Sequence, residues 1–355
     1  MTSASAADQG FSTARAGWQG GAVDTAYRYL DEASQIEALR RVALAAAEEF
    51  GLEVARMEVA LHAYNTTFRV DTPDGRIALR VGTNSRSTAE HLRGQQAWQH
   101  ALATQTEVSV PDPLRTVGGE WFAQVPSAEL GRAALVTAST WLPGPDIGGD
   151  LDPEQSRALG SAMAQLHDHA QVWRVPADAS LPSQAGVLVG EEDLLSGWPG
   201  FTEEERAVVA SALERGEDAI ARVWAGQDLV PIHADLHGGN LKWHEGRLSI
   251  FDFDDARLAV PALDLANATF YLREPSGESE AALREGYAAV RELPEVSDED
   301  LEALLAARQV LLANDILSST TEVFRGQAVE YPRVAVDRLR RWLASGRFER
   351  TKMAL

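Results

Sequence analysis

PIHADLHGGNLKW occupies residues 231–243, and IFDFDD follows at residues 250–255. Between residues 231 and 255 the chain carries four aspartates, one asparagine and three histidines among apolar residues that suit short strands. Carboxylates on such elements are costly to bury unless they are paired or bind a metal. Asp252 follows the apolar pair Ile250 and Phe251 and is therefore predicted to end a buried strand. We expect the chemistry of the chain to lie in this segment.

The chain before residue 142 has the pattern of an antiparallel sheet. Thr72-Pro73-Asp74-Gly75 is a strong turn signal between two runs rich in β-branched residues. Consecutive hairpins imply antiparallel pairing, so we predict five strands with one helix inserted after the third. The candidate segments, which include one strand more than the five of the predicted sheet, are a helix over 30–50, strands over 54–61, 67–71 and 76–81, a helix over 88–103, strands on both sides of Gly118-Gly119, and an apolar strand over 133–141.

Leu142-Pro143-Gly144-Pro145 is the best candidate for a boundary between two lobes. Beyond it helices are predicted at about 153–170, 202–224, 261–272, 279–291, 298–325 and 332–345, with a β-like island around 229–255. The predicted fold class is α+β: a small antiparallel five-stranded N-lobe with one helix, and a larger, mostly helical C-lobe. We predict a mobile N-terminal tail over residues 1–25, an N-lobe over 26–142 and a helical C-lobe over 143–355.

Composition excludes several classes of protein. The chain has 355 residues and no cysteine, which rules out disulfides, thiolate metal sites and cysteine nucleophiles. Its net charge of −21 argues against general nucleic-acid binding, and no apolar run approaches the ~18 residues of a membrane span. We expect a cytoplasmic protein with no nucleic-acid or membrane partner, and the oligomeric state stays open. Lys242 and Lys352 are the only lysines, so any other cationic role falls to arginine.

The central motif resembles a known family. His-x-Asp, followed by four residues and then Asn, with an apolar strand ending in Asp shortly afterwards, is similar to the catalytic core of the aminoglycoside phosphotransferase and choline kinase-like enzymes, relatives of the protein kinases. The resemblance runs from roughly residue 50 to 330 and includes Gln165-Leu166-His167-Asp168, which resembles the family's Leu-His helix. FDFDDARLAVPALDLA at residues 251–266 is closest to the branch of homoserine kinase-like enzymes and bacterial stress-response Ser/Thr kinases. The resemblance implies a two-lobed protein-kinase-like fold.

The resemblance assigns catalytic and metal roles position by position. Asp235 would be the catalytic base, which orients the substrate hydroxyl and accepts its proton. Asn240 and Asp252 would hold Mg²⁺ ions that bridge the nucleotide phosphates, in keeping with the preference of this cation for oxygen ligands. Asp254 lies two residues beyond Asp252 and would either assist a second metal ion or be a solvated turn residue.

Two further residues of the predicted C-lobe, His233 and Asp264, are expected to support the site. His233 is predicted to brace the loop by hydrogen bonding, the alternative being a chemical role. Asp264 resembles the family aspartate that hydrogen-bonds the catalytic loop. His237 has no compact metal-ligand spacing to another histidine, so a loop role is favoured.

The N-lobe is expected to hold the nucleotide phosphates without a glycine-rich motif, because neither G-x-G-x-x-G nor a Walker-type sequence occurs. The first hairpin offers Asn65 and Thr66 as phosphate contacts. Arg80, on the third strand, stands where the family carries a Lys or Arg in contact with phosphate; the alternative is an outward-facing arginine. Gln95 occupies the position where a Glu partner is expected, and Glu90 lies more than one turn earlier, so the partner of Arg80 stays open.

The nucleotide base is expected near Thr140, Trp141 and Leu142, and Trp141 would line that pocket or plug the lobe interface. The implied cofactors are ATP, with GTP not excluded, and Mg²⁺. The expected function is a Mg²⁺-dependent kinase that phosphorylates a hydroxyl group of a small molecule, such as an aminoglycoside-like compound, an amino acid or a sugar or alcohol metabolite. The alternatives are a protein Ser/Thr kinase of the stress-response type and a nucleotide-binding regulatory pseudokinase.

Overall fold

The computed structural model describes residues 25–184 and 186–350. Apart from Thr25, the tail predicted over residues 1–25 lies outside the described residues. The first elements are the helices α1 (Thr25–Arg28) and α2 (Glu32–Glu49). Asp31 caps α2 by accepting a hydrogen bond from the backbone N–H of Ser34 at 2.8 Å, so the long predicted helix begins at an N-terminal signal that its own sequence supplies.

A five-stranded antiparallel sheet follows, as predicted. Its strands and the inserted helix are β1 (Arg56–His62), β2 (Thr66–Thr72), β3 (Gly75–Val81), α3 (Ala89–Gln105), β4 (Phe122–Ser127) and β5 (Arg132–Thr140). The strand order is β1-β2-β3-β5-β4. The prediction of a strand before Gly118 is wrong: that segment makes only isolated bridges, between Ser109 and Ser249 and between Pro113 and Ser139. Pro111 and Pro113 have no N–H to donate, which prevents a ladder there.

Helix α2 covers one face of this sheet. Leu39, Val42 and Ala46 of α2 belong to one buried cluster with Phe68 of β2 and Leu79 of β3. Alternation along β3 therefore turns Leu79 toward α2 and Arg80 toward the opposite face. The packing of the sheet fixes the direction in which the arginine points.

The rest of the described chain is mostly helical, with two small β units. Its elements are α4 (Pro153–Val172), α5 (Glu203–Trp224), β6 (Val230–Ile232), β7 (Leu241–His244), β8 (Arg247–Ile250), β9 (Arg257–Ala259), α6 (Pro261–Leu272), α7 (Glu278–Ala288), α8 (Asp298–Ser318), α9 (Glu322–Gln327) and α10 (Tyr331–Ser345). β6 pairs with β9, and β7 pairs with β8. Within residues 25–184 and 186–350, no helix has both the length and the apolar character needed to cross a membrane.

The helix predicted over 298–325 is two helices, because the chain breaks after Ser318. Ser and Thr side chains compete with a helical backbone for hydrogen bonds. In the break, the backbone N–H and the hydroxyl of Thr320 donate to Asn84 Oδ1 of the sheet lobe, at 3.1 and 2.6 Å. The break thus forms a contact between the two halves of the molecule.

A second contact lies where β5 leads into the helical part. Lys242 Nζ donates to the carbonyl of Gly144 at 3.1 Å and pairs with Asp146 Oδ1 at 2.7 Å. The same ammonium lies 5.1 Å from the centre of the Trp141 ring, within range of a cation–π interaction. The sheet is thus joined to the helical part at two places. We call the space between the sheet and the helical part the cleft; Arg80 of β3 and Asp254 of the acidic segment line it.

Candidate active site

The loop between β6 and β7 carries Asp235, and a buried carboxylate holds that loop. Asp264 Oδ1 accepts the N–H of Ala234 at 2.6 Å, and its Oδ2 accepts the N–H of His233 at 2.9 Å. Asn267 Nδ2 donates to the carbonyl of Ala234 at 2.6 Å. Ala234 has φ 67°, a left-handed conformation that costs a non-glycine residue about 1 kcal/mol or more. The bonds on both sides of this residue stabilise the turn that presents Asp235.

A fully buried histidine stands behind Asp264. His167 of α4 lies with Nε2 3.1 Å from Asp264 Oδ2 and Nδ1 2.9 Å from the hydroxyl of Tyr287. The side chains of His167 and Asp264 are both completely buried. The Leu-His segment seen in the sequence therefore contacts the loop from the helical core through Asp264.

His233 connects the loop to the end of β8. Its Nε2 lies 3.1 Å from the carbonyl oxygen of Phe251, and its Nδ1 accepts the N–H of Asp235 at 3.3 Å. This pair of contacts requires Nε2 to carry the proton. The imidazole is buried beside Phe253, with ring centres 4.7 Å apart. These contacts suit the bracing role predicted for His233.

Both carboxylate oxygens of Asp235 have partners. Oδ1 pairs with Arg308 of α8. Oδ2 accepts a hydrogen bond from Asn240 Nδ2 at 3.0 Å and lies 3.4 Å from His237 Nε2. Burial alone would raise the pKa of Asp235, but the positive charge of Arg308, assisted by His237, outweighs it and holds the pKa well below its usual range. Asp235 is therefore an ionised carboxylate at neutral pH.

Asn240 and Asp252 lie side by side, although twelve residues separate them. The N–H of Phe251 donates to the carbonyl of Asn240 at 3.0 Å, and Asp252 is the next residue. Because the Asn240 amide nitrogen donates to Asp235, its side-chain oxygen is the atom suited to ligate a cation. Asp252 lies two residues beyond the end of β8, rather than at its end as predicted, and has φ 66°, a left-handed conformation.

The oxygen atoms of Asn240, Asp252 and Asp254 are donors of the kind that Mg²⁺ prefers. Within the described ranges, no group of three or more His, Cys, Asp or Glu side chains is arranged to hold a metal ion unaided. Mg²⁺ sites in phosphotransferases commonly use one or two carboxylates and complete their ligand shell with substrate phosphates and water. The donors in the cleft fit a metal ion that arrives with a nucleotide.

Arg80 points into the cleft, which excludes the outward-facing alternative. Its guanidinium pairs with Asp252 Oδ1 at 3.1 Å and with the carboxylate of Asp254. Gln95 does not take the place of the expected glutamate partner, because its Nε2 donates to the backbone carbonyl of Asp254 at 2.6 Å. Glu90 is an exposed residue in the first turn of α3. The charge partners of Arg80 in the described chain are therefore the two aspartates predicted to bind metal.

The first hairpin contacts the site through Asn65. Its Nδ2 donates to Asp254 Oδ2 at 3.0 Å, and its Oδ1 accepts the N–H groups of Thr83 at 2.9 Å, Asn84 at 3.2 Å and Ser85 at 3.1 Å. Thr66 is fully buried, with Oγ1 2.8 Å from His62 Nδ1. The side chains of Asn65 and Thr66 thus already have protein partners. Phosphate contacts from this hairpin stay a prediction, and its backbone amides are the groups that could make them.

The segment predicted to meet the nucleotide base follows β5. The N–H of Thr140 donates to the carbonyl of Asp112 at 2.9 Å, and the N–H of Trp141 donates to the carbonyl of Arg76 at 3.0 Å. The half-buried ring of Trp141 lies with its centre 5.1 Å from Lys242 Nζ. The base contacts proposed for Thr140, Trp141 and Leu142 remain predictions.

Sequence reasoning missed Arg308 and Tyr271 and assigned His237 only a loop role. The three form a ring of contacts around Asp235: Arg308 Nη2 donates to the Tyr271 hydroxyl at 2.8 Å, and the Tyr271 ring stacks on His237 with centres 4.6 Å apart. One signal was present in the sequence, because Arg308 lies in the apolar run Leu304 to Leu312 and is charged among residues that α8 buries.

The fold and this cleft define a class of protein. A five-stranded antiparallel sheet followed by a mostly helical region is the α+β architecture of the protein-kinase-like proteins. Residues 55–304 match the phosphotransferase enzyme family. The chain belongs to that family.

Three individual relatives each share less than a quarter of their aligned residues with this chain. The amicoumacin kinase of Bacillus subtilis (strain 168) is 24% identical over 212 residues, which span 59% of this chain and 61% of that relative. A solved microcompartment-associated aminopropanol kinase is 22% identical with a TM-score of 0.69, covering 86% of this chain and 98% of that one. An amicoumacin kinase solved with AMP-PNP, Ca²⁺ and amicoumacin is 18% identical with a TM-score of 0.65, covering 87% of this chain and 94% of that one. These two structures show that the fold is shared.

Proposed function

We propose that this chain is a Mg²⁺-dependent ATP phosphotransferase that phosphorylates a hydroxyl group of a small molecule. One observation carries the proposal, namely two hydrogen bonds of Asn240. Its side-chain nitrogen donates to Asp235 at 3.0 Å, and its backbone carbonyl accepts the N–H of Phe251, the residue before Asp252, at 3.0 Å. An ionised carboxylate and a set of cation-binding oxygens are thereby fixed beside each other. Phosphoryl transfer needs chiefly that positioning, together with charge stabilisation.

In the proposed reaction, Asp235 accepts a hydrogen bond from the acceptor hydroxyl and orients its oxygen toward the γ-phosphorus of ATP. A bond forms between that oxygen and phosphorus, the bond to the β–γ bridging oxygen breaks, ADP leaves, and the hydroxyl proton passes to Asp235. Asn240, Asp252 and Asp254 would hold Mg²⁺, which when bound offsets the negative charge of the phosphates. Arg80 would leave the two aspartates and bind phosphate oxygens.

The relatives support a small acceptor and an adenine nucleotide. One is named for aminopropanol and another for amicoumacin, and the latter has been solved with AMP-PNP. Within the small-molecule class, FDFDDARLAVPALDLA favours the homoserine kinase-like branch, so we include hydroxylated amino acids among the proposed acceptors. GTP is the alternative donor to be tested beside ATP.

A screen of ADP release tests the proposal. Purified chain is incubated with Mg-ATP or Mg-GTP and a panel of hydroxyl compounds that includes 1-amino-2-propanol, homoserine, choline and aminoglycosides. At least one acceptor is expected to accelerate ADP release and to appear as a phosphorylated product by mass spectrometry. A different result would favour a nucleotide-binding regulatory protein: Mg-ATP raises the melting temperature, but no acceptor increases the rate of ADP release. The acceptors in that comparison include a mixture of proteins that offer Ser and Thr hydroxyls.

A further inference from the structure

Arg308 is the residue of α8 that touches the reacting centre, and it is almost completely buried. Its side chain is 6% exposed. Its Nη2 group donates to two acceptors, Asp235 Oδ1 and the hydroxyl of Tyr271. The pairing brings opposite charges together in a site with little water, where each would be costly alone. Arg308 is thus held at Asp235 by strong charge complementarity.

The contact lies on one side of the Asp235 carboxylate. Asn240, which belongs to the metal-binding group, contacts Oδ2, whereas Arg308 contacts Oδ1. Tyr271 of α6 links the partners of the two oxygens, since it accepts a hydrogen bond from Arg308 and stacks on His237, which lies 3.4 Å from Oδ2. Both oxygens of the carboxylate are therefore held, Oδ1 by Arg308 of α8 and Oδ2 by residues of the loop.

We propose that Arg308 is a positioning residue for phosphoryl transfer, which with Tyr271 fixes the orientation in which the Asp235 carboxylate meets the acceptor hydroxyl. This inference rests on the proposed function. An arginine suits the task because the rigid guanidinium plane fixes the position of Nη2, which donates to Asp235 and Tyr271 at once, whereas a lysine ammonium lies on a flexible stem with a different reach. A displacement of about 1 Å at a reacting group can cost roughly a hundredfold in rate, so the position of Nη2 matters beyond its charge.

The test compares Arg308→Lys, Arg308→Met and Tyr271→Phe with the wild-type chain, using the best acceptor from the screen or slow ATP hydrolysis by water. We expect kcat to fall at least tenfold in Arg308→Met, with Arg308→Lys and Tyr271→Phe intermediate. The dissociation constant of Mg-AMP-PNP should stay within twofold of wild type. A residue with only a structural role would lower the melting temperature and leave kcat per folded molecule unchanged.

A double-mutant cycle makes the assignment specific. In an Asp235→Asn background, Arg308→Met should lower the residual rate no further, because Arg308 acts through Asp235. Arg273→Lys is the matched control: Arg273 is 7% exposed and pairs with Glu280 and Glu302. This variant also replaces a buried, paired arginine by lysine, but it should keep wild-type kcat.

The outcomes separate this inference from the proposed function. A kcat within threefold of wild type in Arg308→Lys and Tyr271→Phe, both of them folded, overturns the positioning role while the kinase assignment stands. The positioning role is also overturned if Arg308→Met, or Arg308→Lys where the methionine variant does not fold, still lowers the rate tenfold in the Asp235→Asn background. A wild-type chain that transfers phosphate neither to an acceptor nor to water overturns the proposed function, and the positioning role with it.

Discussion

Arg80 Nη2 lies 3.1 Å from Asp252 Oδ1, so the guanidinium of this β3 residue pairs across the cleft with a carboxylate predicted to bind metal. The same guanidinium pairs with Asp254. A positive charge between these aspartates offsets their mutual repulsion. Entry of a magnesium nucleotide would exchange partners, because the metal ion would neutralise the aspartates and the phosphates would bind the freed arginine.

Replacing Arg80 is expected to weaken nucleotide binding. Arg80→Ala should raise the dissociation constant of Mg-ATP at least tenfold, which corresponds to about 1.4 kcal/mol. Arg80→Lys should recover part of this loss, because it restores the charge without the fork. Isothermal titration calorimetry measures both. Arg76→Ala is the matched control on the same strand, where the side chain is 61% exposed, and it should bind like wild type. Equal affinities for Arg80→Ala and Arg76→Ala would remove Arg80 from the nucleotide site.

Asp252 is expected to make nucleotide binding dependent on the metal ion. In the wild-type chain, Mg-ATP at a hundredfold excess over its dissociation constant should stabilise the fold by about 2.7 kcal/mol, and EDTA should reduce that gain. Asp252→Ala should bind ATP equally with and without Mg²⁺. Thermal melts with and without ATP, each in Mg²⁺ or in EDTA, measure how much of the ATP-induced stabilisation depends on the metal ion. Glu245→Ala, which replaces an exposed acid of the β7–β8 turn, serves as control. A full EDTA-sensitive shift in Asp252→Ala would exclude it as a metal ligand.

Asp235 is the expected base, so Asp235→Asn should lower kcat by roughly 10² to 10⁴. The affinity for Mg-AMP-PNP should stay within twofold, since the contacts of Asp235 are with the protein. The variant leaves the buried Arg308 without its counter-charge, so its melting temperature should also fall. Asp168→Asn, at an exposed position, should match wild type in both measurements. Turnover within threefold of wild type in Asp235→Asn would assign the base elsewhere.

Asp264 should matter for stability as much as for turnover. Its carboxylate is fully buried and accepts two backbone N–H groups of the loop as well as lying 3.1 Å from His167. Asp264→Ala leaves those donors unsatisfied and the left-handed Ala234 unsupported, at a cost of about 3 kcal/mol or more. Urea unfolding followed by circular dichroism measures the loss. A change below about 1 kcal/mol would mean that the loop is held by other contacts.

Stability should depend on pH through Asp315. Burial, reinforced by the charges of Glu191 and Asp255, raises the pKa of Asp315 to about 8. The folded state therefore holds a proton that the unfolded chain releases above pH ~4. The stability from this group is fully present below pH ~4 and is lost as pH rises toward 8, at about 1.4 kcal/mol per pH unit.

Asp315→Asn removes this titration. Relative to wild type, the variant should therefore gain stability as pH rises from 5 to 8, and urea melts at several pH values measure the two slopes. Parallel slopes for the two proteins would mean that Asp315 ionises normally in the folded state.

The sequence predicted what local patterns encode and missed what only the fold brings together. The β2–β3 hairpin followed from its turn residues, and the loop of Asp235 followed from a motif contained in thirteen residues. The strand predicted before Gly118 does not form, because Pro111 and Pro113 lack the N–H groups that a ladder needs. The sequence left the partner of Arg80 open between Gln95 and Glu90, because the contact that Gln95 makes is with a backbone carbonyl 159 positions away. Arg308 was missed because its contact with Asp235 spans 73 residues, and no local pattern reports such a distance.

Helix α8 runs unbroken for 21 residues, a rod of roughly 30 Å. It carries Arg308 near its middle, and the break just beyond its end holds Thr320, the residue bonded to Asn84. Asn84 belongs to the loop whose amides converge on Asn65, and Asn65 bonds Asp254. A tilt of α8 would thus reach Asp254, on the proposed phosphate side, as well as Asp235, on the proposed acceptor side. Helix α8 is thus connected to both proposed substrate sites, and a substitution that bends it should disturb the binding of both substrates at once.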